Sequence, residues 1–275
     1  MRLENTFERL RNLGEKALIT FITAGDPDMD TTEKLVLEME KKGADIIELG
    51  MPFSDPLADG PIIQKSSQRA LERGMNTSLF FEMVSRLRRK TQVPLVVLTY
   101  YNPVFSYGEE KFIRDAARAG IDGLVIPDLP LEESRLMQSL ALQQGVDLIY
   151  LLTPTSTEER IRLTAERAQG FIYCVALTGV TGVRENISLK AEEMVNRIRK
   201  FTSLPLALGF GISTPQQAES AAAFCDGVIV GSGIVRMVEQ LGESPEDLLK
   251  EVGNFVSSLK EGTRGQFPRS VRKGG

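Results

Sequence analysis

Residues 44–64, ADIIELGMPFSDPLADGPIIQ, begin as a buried strand and run into a Pro- and Gly-rich loop. Positions 44–49 are apolar on both faces and rich in β-branched residues, the pattern of a parallel strand covered by helices. Yet the strand carries Glu48 near its C-terminal end, and the loop carries Asp55 and Asp59. No Lys, Arg or His lies between Lys42 and Lys65 to pair with them. What the three carboxylates do depends on the fold around them.

Strand patterns recur along the chain at 17–23, 44–49, 94–99, 123–126, 146–152, 171–175, 205–208 and 227–230. Helical segments lie between them, among them 31–42, 109–119, 131–143, 157–168 and 189–199. Their starts carry capping sequences (DMDTTE, TSTEER, and STPQQA with Pro215 at the first helical position), and Gly43, Gly120 and Gly145 follow helix ends. Eight alternations in a chain of 275 residues predict an α/β (β/α)8 TIM barrel. A doubly wound sheet is the competing architecture. An extra helix at 3–13 precedes the first strand, and the gap after the second strand accommodates two helices. SGIVRMVE supplies an additional helix after the eighth strand. Nothing in the composition divides the chain, so residues 1–262 are expected to form one barrel domain and 263–275 a flexible basic tail.

Composition narrows function by exclusion. Net charge is −4, so no basic surface calls for nucleic acid or anionic lipid. No stretch approaches the apolar length of a membrane span, and the first residues lack the apolar core of a secretion signal. Cys174 and Cys225 sit in apolar runs, as reduced thiols do, and the expectation is a cytoplasmic protein. The chain has no histidine, which removes the usual general base and the commonest zinc ligand. Proton transfer must come from Asp, Glu, Tyr, Lys or Cys.

Barrel enzymes place their chemistry at the C-terminal strand ends. That puts Glu48 in an apolar mouth, where an ionised carboxylate is costly and its pKa rises toward neutrality. Such a group both gives and takes a proton near neutral pH. Turn formation accounts for Asp55, whereas Asp59 in DPLADGP is open to either reading. TGVTG (178–182), GFGIS (209–213) and GSGI (231–234) follow the last three strands and bring backbone N–H groups together for a phosphate, with Ser232 adding a hydroxyl. Phe21, Tyr100, Tyr173 and Phe210 suit a flat apolar ring. No lysine falls at a strand end for a Schiff base, and neither a metal-ligating cluster nor a dinucleotide fingerprint is present.

FITAGDPD, ELGMPFSDPLADGPIIQ, IPDLPLEE, TGVTG and LGFGIS, in that order, resemble the α subunit of tryptophan synthase over nearly the whole chain except its tail. The resemblance implies retro-aldol cleavage of indole-3-glycerol phosphate to indole and glyceraldehyde 3-phosphate, without metal or organic cofactor. It implies Glu48 as the acid–base group and Asp59 as the carboxylate that holds the indole N–H. Phosphate is implied at Gly182, Gly211, Gly231 and Ser232, the ring among Phe21, Tyr100, Tyr173 and Phe210, and Thr181 against Asp59. It further implies an α2β2 heterotetramer with a β subunit that carries pyridoxal phosphate, contacted by the loop after strand two and by residues 101–105. Some members carry a basic residue where this chain has Leu177, which leaves the closed-loop contacts open. The alternatives are another phosphate-binding barrel of tryptophan biosynthesis, such as indole-glycerol-phosphate synthase, and a mainly regulatory α subunit.

Overall fold

The computed structural model describes residues 1–176, 184–209 and 211–265, with 184–188 described by backbone alone. All strand pairs are parallel, in the order β5-β4-β3-β2-β1-β9-β8-β7-β6. β1 (Ala17–Thr23), β2 (Ile46–Gly50), β3 (Leu95–Leu98) and β4 (Gly123–Val125) form one half. β7 (Ile172–Val175), β8 (Leu206–Gly209) and β9 (Gly227–Val230) belong to the other. The expected fifth strand is split into β5 (Asp147–Ile149) and β6 (Leu151–Leu152). Its first half pairs with β4 and its second with β7, and the Tyr150 carbonyl between them accepts the Tyr173 N–H at 3.0 Å. The two ends of the strand order therefore meet in one continuous stretch of chain, and the stagger is the one that tilted barrel strands require. The structure has the expected (β/α)8 barrel architecture.

The additional helices lie where expected. α1 (Arg2–Leu13) precedes β1, and α2 (Met29–Lys41) follows it. Two helices, α3 (Pro61–Glu72) and α4 (Thr77–Arg88), follow β2. An unforeseen short helix, α5 (Tyr101–Tyr107), comes before α6 (Glu109–Ala119). α7 (Arg135–Gln144) starts later than the pattern suggested, and α8 (Glu158–Arg167), α9 (Arg184–Arg199) and α10 (Pro215–Ala222) complete the ring. α11 (Ser232–Leu241) and α12 (Pro245–Thr263) follow β9. Most caps behave as read: Asp28, Thr157 and Thr214 each accept a first-turn N–H, and Gly120 and Gly145 end helices in the left-handed conformation, whereas α2 is capped by Lys42 and Gly43 (φ +108°) is the residue after that cap.

Strand alternation sorts side chains into two cores. Ala17, Ile19, Ile46, Val96, Val125, Ile149, Ala207 and Ile229 point into the barrel, while Leu18, Ile47, Leu49, Val97 and Leu124 pack under the helices. Leu3, Phe7 and Leu10 of α1 join the inner group and plug its N-terminal end, where Phe7 lies 5.7 Å from Phe171. The opposite end is left for chemistry.

Aspartates precede or open four strands at the plugged end. Asp45, Asp122 and Asp226 each accept an N–H from the start of a neighbouring strand (Leu18, Leu95 and Leu206, all at 2.9 Å) and each pairs with a cation. Asp147 stands in the same place with neither: it is 1% exposed, and among the described residues both carboxylate oxygens are without a hydrogen-bond partner. The equivalent N–H, that of Asp122, is already given to the Leu95 carbonyl. Burial, with Asp122 and Glu4 adding to it against the N-terminal amine, pushes Asp147 up to about 6. The folded state therefore holds a proton that the unfolded state releases, and stability falls as pH rises from about 4 through about 6. Asp147→Asn should stabilise the chain by about 1–3 kcal/mol at pH 8 and by little at pH 4. Urea unfolding at the two pH values checks this, and an equal gain at both would refute it.

Candidate active site

β2 turns Ile46 and Glu48 inward and Ile47 and Leu49 outward, so alternation alone delivers a carboxyl to the barrel interior. Glu48 lies in register with Phe21 on β1 and Val96 on β3. It is 1% exposed, and no hydrogen-bond partner for either oxygen lies among the described residues. Loss of water, then the nearby charge of Asp59, pushes Glu48 up to about 8. At neutral pH it carries a proton.

The loop after β2 brings the second carboxylate back over the mouth. Asp59 donates its N–H to the Pro56 carbonyl at 3.0 Å, and α3 starts at Pro61 with Gly60 as its cap. The Tyr100 hydroxyl accepts the Ala58 N–H at 3.0 Å, tying the loop backbone to the end of β3. Asp59 is half-buried, and burial raises it to about 6, with the Tyr100 hydroxyl acting in the opposite direction. Asp55 is exposed and takes a hydrogen bond from Ser54, on the solvent side of the same loop. The two carboxyls that interact, Glu48 and Asp59, are thus held on opposite sides of neutrality.

Rings wall the site, and glycines make room for them. Phe21 is buried; a Cβ on Gly50 would lie 2.6 Å from its ring and one on Gly231 3.2 Å from it. A Cβ on Gly209 would lie 2.7 Å from the half-buried Tyr173 ring. Gly231 therefore has a packing reason to be glycine, apart from any ligand. Tyr100 is buried with its ring 5.4 Å from Phe53. Burial, Glu48 and Asp59 all raise the Tyr173 hydroxyl well above its ordinary value, so it stays protonated as a hydrogen-bond donor. Leu98 on β3, absent from the sequence expectations, is half-buried against the inner core one layer above Val96. Only the alternation 96, 98, 100 pointed to it.

At the other rim, Gly211 is exposed and left-handed (φ +72°), a conformation that side chains disfavour. α11 starts at Ser232 after Gly231, a cap residue without a side chain to accept its first N–H groups. Its N-terminus presents the positive end of the helix dipole. Thr181, Gly182 and Phe210 lie outside the described residues. Among the described residues, no group of three or more acidic or sulfur side chains is placed to hold a metal. A buried carboxyl with a raised pKa beside a second carboxylate, among aromatic side chains, suits proton transfer on an apolar substrate.

Known proteins share the sequence and fold of this chain. The chain is 51% identical over 261 residues to the tryptophan synthase alpha chain of Geobacter sp. (strain M21), covering 95% of this chain and 97% of that one. It is 52% identical over 260 residues to that of Caldanaerobacter subterraneus subsp. tengcongensis, covering 94% and 98%. The crystal structure of tryptophan synthase subunit alpha from Legionella pneumophila str. Paris superposes with a TM-score of 0.88 at 35% identity, covering 95% and 98% of the two chains. A chain of the aminoacrylate-bound tryptophan synthase of M. tuberculosis superposes with a TM-score of 0.85 at 32% identity, covering 95% and 99%. With the family model for the tryptophan synthase alpha chain matching residues 7–264, this chain belongs to the tryptophan synthase alpha chain family.

Proposed function

We propose that the chain is a carbon–carbon lyase that cleaves indole-3-glycerol phosphate to indole and glyceraldehyde 3-phosphate. The observation that carries this is Glu48, a fully buried carboxyl without a described hydrogen-bond partner inside the mouth of a barrel of this family, where burial raises its pKa. Glu48 gives its proton to indole C3, and the ring nitrogen takes up the positive charge while Asp59, ionised, accepts its N–H. The glycerol hydroxyl next to the scissile bond then loses its proton to the Glu48 carboxylate. The C–C electron pair returns to the indole ring, the hydroxyl carbon becomes the aldehyde, and Glu48 ends protonated as it began. Protonated indole is itself the electron sink, so a Schiff-base lysine is not needed. Phe21, Leu98, Tyr100, Tyr173 and Phe210 enclose the ring, and the phosphate rests on Gly182, Gly211, Gly231 and Ser232. Thr181 steadies Asp59. In this reading the catalytic domain is residues 1–262 together with Thr263, the buried last residue of α12 whose carbonyl accepts the Lys16 N–H at 3.0 Å, so the expected boundary at 262 falls one residue early.

The reaction asks for no cofactor in this chain; pyridoxal phosphate belongs to the β subunit that takes the indole in an α2β2 assembly. Two apolar side chains support a partner on this face: Leu57 in the Asp59 loop is 92% exposed and Phe105 on α5 is 66% exposed. No helix among the described residues is long and apolar enough to cross a membrane, and a cytoplasmic setting is part of the proposal, in keeping with two buried, unpaired thiols, Cys174 and Cys225.

Indole release from indole-3-glycerol phosphate, followed against pH, tests the function and the roles together. kcat/KM should rise as Asp59 ionises near 6 and fall as Glu48 loses its proton near 8. The substrate phosphate also ionises at about 6, so the lower limb must be compared in Asp59→Asn. A lower limb unchanged in that variant belongs to the phosphate, and no indole at any pH would end the proposal.

A further inference from the structure

Arg69, in the last turn of α3, forks onto a buried carboxylate. Its Nε donates to Asp26 Oδ1 at 2.9 Å and its Nη2 to Asp26 Oδ2 at 2.7 Å, and Asp26, in the loop after β1, is 2% exposed. The remaining edge of the guanidinium reaches Glu239 Oε1 on α11 at 3.4 Å. On the same seam, the Thr23 and Ser66 hydroxyls meet at 2.6 Å and pin the middle of α3 to the end of β1. One side chain thus joins α3, α11 and the β1 loop.

The two helices it joins lead to opposite ends of the candidate site. α3 begins at Pro61, directly after Asp59 and Gly60, and α11 begins at Ser232, directly after Gly231. A helix of three turns is stiff, so fixing α3 against α11 fixes the separation of what precedes them. Resting on the function proposed above, we infer that Arg69 is a positioning residue. It sets the span between the carboxylate that meets the indole N–H and the helix N-terminus that meets the phosphate. Arginine suits the task because its planar fork holds Asp26 at two points and still has an edge for Glu239. Lysine would keep the charge and lose the geometry.

A purely structural role, giving the buried Asp26 a partner, predicts something different: lower stability with unchanged ligand preference. The test uses Arg69→Lys and the double variant Asp26→Asn/Arg69→Gln, which leaves no orphaned charge in the interior if the first fails to fold. Calorimetry compares indole-3-propanol phosphate, which spans both ends and cannot be cleaved, with glycerol 3-phosphate, which occupies only the phosphate end. Affinity for the spanning ligand should fall by about tenfold or more while that for glycerol 3-phosphate stays within about twofold, and kcat for indole release should fall as KM rises. Equal losses for the two ligands, or a lower melting temperature with both affinities unmoved, would overturn the assignment alone. Failure of the parent chain to bind the spanning ligand would overturn the substrate assignment and this one with it.

Discussion

Glu48→Gln should reduce indole release by about 10²–10⁴-fold or more and at the same time make the chain more stable. The first effect follows from removing a group that both gives and receives a proton. The second follows from linkage. Burial lifts Glu48 from an ordinary 4.5 to about 8 in the folded state. Between those values the folded chain keeps a proton that the unfolded chain has lost, so stability declines as pH rises from about 4.5 through about 8. Glutamine has the same shape and no charge to desolvate, and no described hydrogen bond to either oxygen is lost. The gain should be about 2–4 kcal/mol at pH 8 and close to zero near pH 4.5. Opposed changes in activity and stability at one residue mark a site kept at a cost to the fold. Steady-state kinetics with urea unfolding at both pH values provide the check. Near-parent turnover in the folded variant defeats the catalytic role, and a stability change independent of pH defeats the burial account.

Glu48 was legible because two local facts sufficed: an apolar alternating run fixes which way the residue points, and no nearby cation relieves it. The eight-strand count was legible for the same reason, since both faces of each strand are buried and the apolar runs stand out. What escaped depends on groups far apart in sequence. α5 has few strong helix formers, and its first N–H, on Tyr101, is capped at 2.8 Å by Asp128 from the next loop, a partner no local pattern reveals. α7 begins late because the Ser134 hydroxyl bonds the Leu131 carbonyl and the Tyr150 hydroxyl, holding 131–134 in turns. The break in the fifth strand at Tyr150 reflects which neighbours each half meets, and barrel stagger is not written in composition. Arg69 carried no signal at all, because its partners Asp26 and Glu239 lie in other elements. The difference between Asp147 and its three paired counterparts was equally invisible, because all four stand at strand starts in similar local sequence.

Gly211→Asp should weaken binding of glycerol 3-phosphate by about 10²-fold or more with only a modest loss of stability. Gly211 is the better probe of the glycine rim because it is exposed and left-handed, whereas a side chain on Gly231 would press within 3.2 Å of Phe21 whether or not a ligand binds there. A non-glycine residue at φ +72° costs about 1–2 kcal/mol of backbone strain, felt by the fold with or without ligand. The charge acts on the ligand. A carboxylate about 4 Å from a phosphate charge at a partly solvated surface opposes it by about 4 kcal/mol per charge pair before screening, and salt reduces this. Gly211→Ala carries the same strain without the charge, so the difference between the two variants isolates repulsion. If the phosphate rests on this loop, Ala should lose little affinity and Asp much, and the gap should narrow as ionic strength rises. Equal affinities for the two variants by calorimetry would mean the loop is a turn that no phosphate touches. The anion would then have to be held by the α11 N-terminus and the 178–182 loop alone.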